Sequence, residues 1–163
     1  MLDERPIVTT GCLNISKVLP DLSQPVEIVQ KKTKSMFSST LRLQLTMELQ
    51  RKGYLPSERI VGRILIENPN GEEMESMRIE CIQRMIYFDA GLHKRMSSVL
   101  DSAVIDCSDG QCNEALMVKD FQLQLPPLLM PSWESPDKAF RLFYFVQVNP
   151  LAKILEKFLY FFL

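Results

Sequence analysis

One histidine, one tryptophan and six glycines are all that 163 residues hold of these three types. Each scarcity excludes something. With His93 alone there is no His-rich metal site, and no Cys-x-x-Cys pair substitutes for one. Gly-x-Ser-x-Gly, a Gly-rich loop ahead of a helix and His-Glu-x-x-His are all missing, which removes the common nucleophile, phosphate and zinc signatures. No catalytic, cofactor-binding or metal-ligating residue is nominated, and the chain is not expected to be an enzyme. Neither sign of charge dominates: 19 Lys and Arg stand against 20 Asp and Glu, a net charge of −1. Without a cationic field to hold a phosphate backbone, nucleic-acid binding is not expected. No apolar run reaches the roughly 18 residues that a spanning helix needs. The first residues, Met1-Leu2-Asp3-Glu4-Arg5-Pro6, place acids where a secretory leader carries basic and then apolar residues. A cytosolic location follows as an expectation, and with it four reduced cysteines, Cys12, Cys81, Cys107 and Cys112. Cys107 and Cys112 flank Ser108-Asp109-Gly110-Gln111 and could face each other across a hairpin, a pairing that an oxidising compartment would favour.

What the chain does hold is alternation. The apolar share of 46% and the charged share of 24% suit a globular domain that buries its own core. In residues 41–49, Leu41, Leu43, Leu45, Met47 and Leu49 alternate with Arg42, Gln44, Thr46 and Glu48. Period 2 predicts a strand with one face on a core and the other in water. Lys52-Gly53-Tyr54-Leu55-Pro56 then reads as a turn. Residues 58–67 form the next strand, with Ile60, Ile64 and Ile66 on one face, and Asn68-Pro69-Asn70-Gly71 closes it with turn chemistry. In residues 74–88 the phase changes. Met77, Ile79 and Cys81 share one face, whereas Ile82, Ile86 and Phe88 fall on the other, predicting a bulge or a change of neighbour.

Residues 91–94 read as a loop, 96–107 as a weaker strand and 114–125 as a stronger one stopped by Pro126-Pro127. An irregular crossing through Pro131, Ser132, Ser135 and Pro136 leads to the last strand, 140–148. Six strands separated by turn residues, with no amphipathic helix among them, predict an all-β, immunoglobulin-like antiparallel sandwich. The expected core phase is Leu43, Leu45 and Met47 with Ile64, Phe121 and Leu142. Three parts follow: an extended lead-in over 1–40, the sandwich over 41–148 and an apolar tail over 149–163.

Leu151, Ile154, Leu155, Phe158, Leu159 and Phe162 recur in the tail at helical spacing, so a short apolar C-terminal helix is expected. At about 20 Å it is too short to cross a bilayer. A helix or an extra strand covering the sandwich, an interfacial membrane helix, and an apolar face that has lost its partner are the readings open to it. Among the remaining patterns, Lys31-Lys32 with Lys34 reads as a soluble linker, with a contact to anionic lipid or phosphate as the alternative. Glu72, Glu73 and Glu75 lack the alternating acidic spacing of a calcium loop and read as a solvated edge. Phe140, Phe143, Tyr144 and Phe145 read as core rather than as a base-stacking platform, since no basic groove accompanies them.

Several segments, taken in order, resemble one family. Leu41-Arg42-Leu43-Gln44-Leu45, then Lys52-Gly53-Tyr54-Leu55-Pro56-Ser57-Glu58, then Ile64-Leu65-Ile66-Glu67-Asn68 are similar to the opening of the C-terminal arrestin domain. That opening is an alternating strand, a "GY-x-P-G-E" turn and an "I-x-N" strand end. Met77-Arg78-Ile79-Glu80-Cys81-Ile82-Gln83, followed by Tyr87, resembles the next strand of the family. Leu125-Pro126-Pro127 with Pro131-Ser132 resembles its "I-P-P … P-S" connection, and residues 140–148 its "I-x-V-x-Y-x-L-x-V" strand. Pro6-Ile7-Val8-Thr9 and Cys12-Leu13-Asn14 are similar to the lead-in that joins two arrestin domains. There are departures. Ser57 stands where the family has glycine, which a type I turn tolerates. The N-terminal arrestin domain, the family's last strands and a Pro-Pro-x-Tyr tail are not found here; Pro126-Pro127-Leu128-Leu129 lacks the tyrosine.

The resemblance implies a non-enzymatic adaptor that binds cytoplasmic tails of membrane proteins in protein transport and endocytic trafficking. It would act in the cytoplasm, at the plasma membrane or endosomes, using exposed strand edges and loops. Ubiquitin ligases and endocytic machinery are expected partners of such proteins, and peripheral membrane contact is open. A structural or lipid-carrier sandwich, or a truncated isoform with no independent role, are the alternatives.

Overall fold

The computed structural model describes residues 20–36, 39–69, 76–89, 92–106, 115–134, 139–150 and 158–162. They form one 3-10 turn, Pro20–Ser23, and nine strands: β1 Val26–Met36, β2 Ser39–Leu49, β3 Arg59–Glu67, β4 Ser76–Asp89, β5 Leu92–Asp106, β6 Leu116–Gln124, β7 Trp133–Glu134, β8 Phe140–Pro150 and β9 Phe158–Phe162. One sheet runs β1-β2-β3-β6 and the other β5-β4-β8-β7, with β9 also on β8. Every pairing is antiparallel. The all-β sandwich read from the alternation is present, and among the described residues there is no α-helix.

The core lies where period 2 places it. Leu45, Met47 and Leu49 of β2, Ile60, Ile64 and Ile66 of β3, and Phe121 and Leu123 of β6 meet Met77, Ile79 and Cys81 of β4 and Leu142, Tyr144, Val146 and Val148 of β8. Gly62 sits directly across from Phe121. A Cβ built there would lie 2.5 Å from Phe121 Cζ and 2.8 Å from Leu49 Cδ2, so the ring occupies the space a side chain would fill. In β4 the phase change has a defined origin. The ladder to β8 is unbroken from Met77 to Tyr87, whereas the ladder to β5 shifts between Cys81 and Ile82. Cys81 faces Asp101 and Ile82 faces Val99, so the additional residue, Leu100, belongs to β5. The bulge therefore lies in the partner strand. Ile82 is buried, but outside the inner core, beside fully buried Phe145 on the outer face of the five-stranded sheet.

Three expectations change. The C-terminal helix is not found: Phe158–Phe162 is a strand, registered on Tyr144–Val148 of β8. Aromatic residues suit strands as well as helix faces, and a helix there would leave the β8 backbone unpaired. Within the segment read as a lead-in, residues 26–36 run antiparallel to β2 for their full length, so Lys31, Lys32 and Lys34 lie on an edge strand rather than a linker. The loop read at 91–94 is already strand from Leu92, because the hairpin ladder continues to its end at Asp89↔Leu92. The glutamates 72, 73 and 75, Cys12, Cys107 and Cys112, and the side chain of Leu43 from the expected core phase lie outside what the structure describes.

Candidate functional site

The turn joining β2 to β3 shows how the recurring motifs meet. Glu58 N–H donates to the Leu55 carbonyl (3.1 Å), closing a four-residue turn with Pro56 second and Ser57 third. Ser57 has φ 67°. Proline followed by a left-handed residue is the type II pattern, so Ser57 occupies a positive-φ position and not the type I geometry that tolerates serine. The Glu58 side chain accepts from Leu55 N–H (2.8 Å) and pairs with Arg51 at 3.2 Å, while the Arg51 guanidinium lies over the Tyr54 ring at 4.9 Å. Burial is the main cause that raises the Tyr54 phenol above its usual pKa. Ser57 N–H donates to Pro126 and Leu125 N–H to Glu58, joining this turn to the Pro-Pro stretch nearly seventy residues on. Gly53 N–H donates to Leu22 at 2.9 Å, and a Cβ on Gly53 would lie 2.8 Å from Leu22 Cβ. Only glycine lets the 3-10 turn approach this closely.

Chemistry-bearing side chains collect instead at the end of the five-stranded sheet where β4 turns into β5. The four-stranded sheet stops short of this end. β6 finishes at Gln124, whose N–H donates to Asp101 Oδ2 at 2.6 Å, and every residue of β5 from 92 to 99 is exposed. On the inner side of the overhang the rings of Trp133, Phe140 and Tyr87 follow one another, with centroids 5.8 and 5.0 Å apart. Tyr144 ties in the adjoining loop: its hydroxyl accepts from Gln83 (3.0 Å) and donates to the Met130 carbonyl (2.6 Å). On the outer side the Phe88 and His93 rings lie tilted to each other with centroids 6.3 Å apart, and the Arg84 guanidinium lies 4.4 Å above Phe145 while its Nε donates to Ser97. Burial, and then neighbouring Arg95, lower the Arg84 pKa.

Exposed apolar groups here include Tyr87, Phe88, Leu92, Met96, Met130 and Trp133. Residues 84–88 and 92–99 contain Arg84, His93, Lys94 and Arg95 and no acid. Sequence reasoning placed His93 in a polar loop; it stands on a strand against an aromatic ring. Of the aromatic cluster, Tyr144 joins the inner core, whereas Phe145 is buried on the opposite face. The Tyr87–Phe140–Trp133 row was not anticipated, because its members are far apart in sequence and adjacent only through the β4–β8 and β7–β8 ladders. Cys81 is enclosed, and burial first, then Asp101, push its thiol up to about 12. Among the described residues no three His, Cys, Asp or Glu side chains are grouped to hold a metal ion.

Residues 39–158 match the model of the arrestin (or S-antigen) C-terminal domain. The chain belongs to this family. No curated protein matches it. Among solved structures, the arrestin C-terminal domain described here is similar to the sporulation control protein Spo0M from Bacillus subtilis, at 12% identity and a TM-score of 0.49. That likeness covers 73% of this chain and 48% of Spo0M, so the chain spans about half the length of that structure. The arrestin match takes in the Tyr54–Glu58 turn, the overhanging hairpin and β8.

Proposed function

We propose that this arrestin C-terminal domain works as a non-enzymatic adaptor that binds cytoplasmic tails of membrane proteins and takes part in their transport. The observation that carries the reading is the overhanging end of the five-stranded sheet. There Trp133 is 51% exposed and Leu92 79%, beside Tyr87, Phe88, Lys94 and Arg95. Soluble domains seldom expose such a group of large apolar side chains without a partner, and Trp, Tyr and Arg supply most of the energy at protein interfaces. The space between the sheets is filled by fully buried side chains such as Leu45, Ile64, Met77 and Val146, which favours an adaptor over a lipid carrier.

The proposal includes no cofactor, metal or nucleic acid. It places the protein in the cytoplasm, at the plasma membrane or endosomes, with membrane contact peripheral. Pro126-Pro127 serves the fold, its first carbonyl holding Ser57 N–H; a link to a ubiquitin ligase or endocytic machinery would use other surfaces. The test is capture of the purified chain on immobilised cytoplasmic tails of membrane proteins. Replacing Tyr87 and Trp133 together by alanine should weaken capture by about 2 kcal/mol, roughly thirtyfold. Equal capture by the variant would remove this surface, and no capture by the parent chain would remove the adaptor reading.

A further inference from the structure

The described strands β1, β5 and β6 are outermost in their sheets. β6 has its last N–H taken by Asp101, and β8 is flanked on its outer side by β7 and β9 in turn. β5 is the outermost strand of its sheet, and no described strand pairs with its far side. Over residues 92–99 it is exposed on both faces, and its ladder with β4 is regular until Leu100 bulges out. A strand in this state offers alternate N–H and C=O groups to an incoming backbone, and a bulge ends such pairing. We propose that this eight-residue edge accepts an extended peptide as an added strand, and that the peptide carries two consecutive carboxylates. The inference rests on the tail-binding reading and names the site and chemistry of the tail.

The charge pattern selects the occupant. Successive strand residues point to opposite faces, so Lys94 projects on the side of Tyr87, and Arg95 on the side of Ile86 and Arg84. Two neighbouring acids on a paired strand would meet one cation on each face. Leu92 and Met96 flank Lys94 along its face and offer apolar contact to side chains two positions away. A second copy of this chain fits poorly. Antiparallel pairing of residues 92–99 with themselves would set Lys94 against Ser97 and Arg95 against Met96, giving neither cation an acid and placing each Lys94 diagonal to the other copy's Arg95 on the same face.

The probe is a fluorescein-labelled, acetylated octapeptide of valine and threonine with two central glutamates, titrated against the full chain by anisotropy. It should bind, slow hydrogen exchange at residues 92–99 and bind less tightly as salt rises. The K94E/R95E double variant changes two exposed side chains and should keep the parent circular dichroism while losing about tenfold or more in affinity. The same peptide N-methylated at alternate residues, which keeps its charge but cannot form a ladder, should not bind. Equal binding of the methylated peptide, protection at β1 instead of β5, or binding of phosphatidylserine vesicles but not of the peptide would each overturn strand addition at this edge. Capture of receptor tails undiminished by K94E/R95E would overturn the edge and leave the adaptor reading intact. Peptide binding here together with no tail capture would support the edge and remove the adaptor reading.

Discussion

Ser57 holds a φ of 67°, where Cβ crowds the following carbonyl and an L-residue loses about 1–2 kcal/mol relative to a right-handed conformation. Ser57→Gly should therefore stabilise the chain by about 1 kcal/mol, read as a higher urea midpoint at unchanged slope. A midpoint that stays put would mean the turn relaxes without cost. Gly62 predicts the opposite sign. Its Cβ would meet the Phe121 ring at 2.5 Å in the middle of the sheet, so Gly62→Ala should cost about 1–3 kcal/mol as overpacking. Adding Phe121→Leu should recover part of that loss, where two independent sites would simply add. Cys81 gives a pH effect. Burial holds its thiol protonated up to about 12, above the 9.0 of a free thiol, and Tyr54 and Tyr144 are raised by burial in the same sense. Each raised group binds its proton more tightly when folded. Their contribution is complete below about pH 9 and falls as pH rises toward 12. Urea midpoints should be flat near neutrality and drop above pH 9, and Cys81 should react with a thiol reagent only after unfolding.

At the scale of elements, alternation identified β2, β3 and β6 because each presents one face to a single core, and it identified β8 as well, whose apolar residues on one phase suffice to mark a strand. Periodicity misread the tail, whose form its neighbour decides. β8 is buried on both faces from Tyr144 to Val148, and β9 covers the edge of the same stretch. Phe158, Leu159 and Phe162 fit a helix face as well as a strand, and nothing local separates the two; an open neighbour does. β9 should thus act as a cap. Truncation after residue 157 removes five paired positions. At about 0.5–1.5 kcal/mol net per hydrogen bond it should cost about 3 kcal/mol. It should also raise the association state in light scattering by exposing the β8 edge. A truncated chain as monomeric and stable as the parent would show that β9 adds nothing.

For the whole molecule, the ordered resemblance in "GY-x-P-G-E", "I-x-N" and "I-P-P" was legible because these segments are turns and strand ends that the fold ties together. Ser57 and Pro126 are joined by one hydrogen bond, and Asn68 is buried where its N–H donates to Ala115. The candidate site was legible only as scattered parts. Tyr87, Trp133 and Phe140 each look like ordinary apolar residues of separate segments. The exposure of Tyr87 and Trp133 depends on where the four-stranded sheet ends, and no residue of that sheet marks this in the sequence around either of them.

The sequence by itself determined the sandwich, its core phase and its family, since each follows from which residues face which way along one strand, a short-range property of period 2. The tertiary structure decided the type II turn at Ser57, the bulge at Leu100, the strand identity of β9 and the overhang of the β4–β5 hairpin. Each of these depends on what lies alongside: the Pro126 carbonyl, the two neighbours of β4, the open side of β8 and the end of β6 at Gln124. Pairing partners chosen across tens of residues leave no mark on the local pattern.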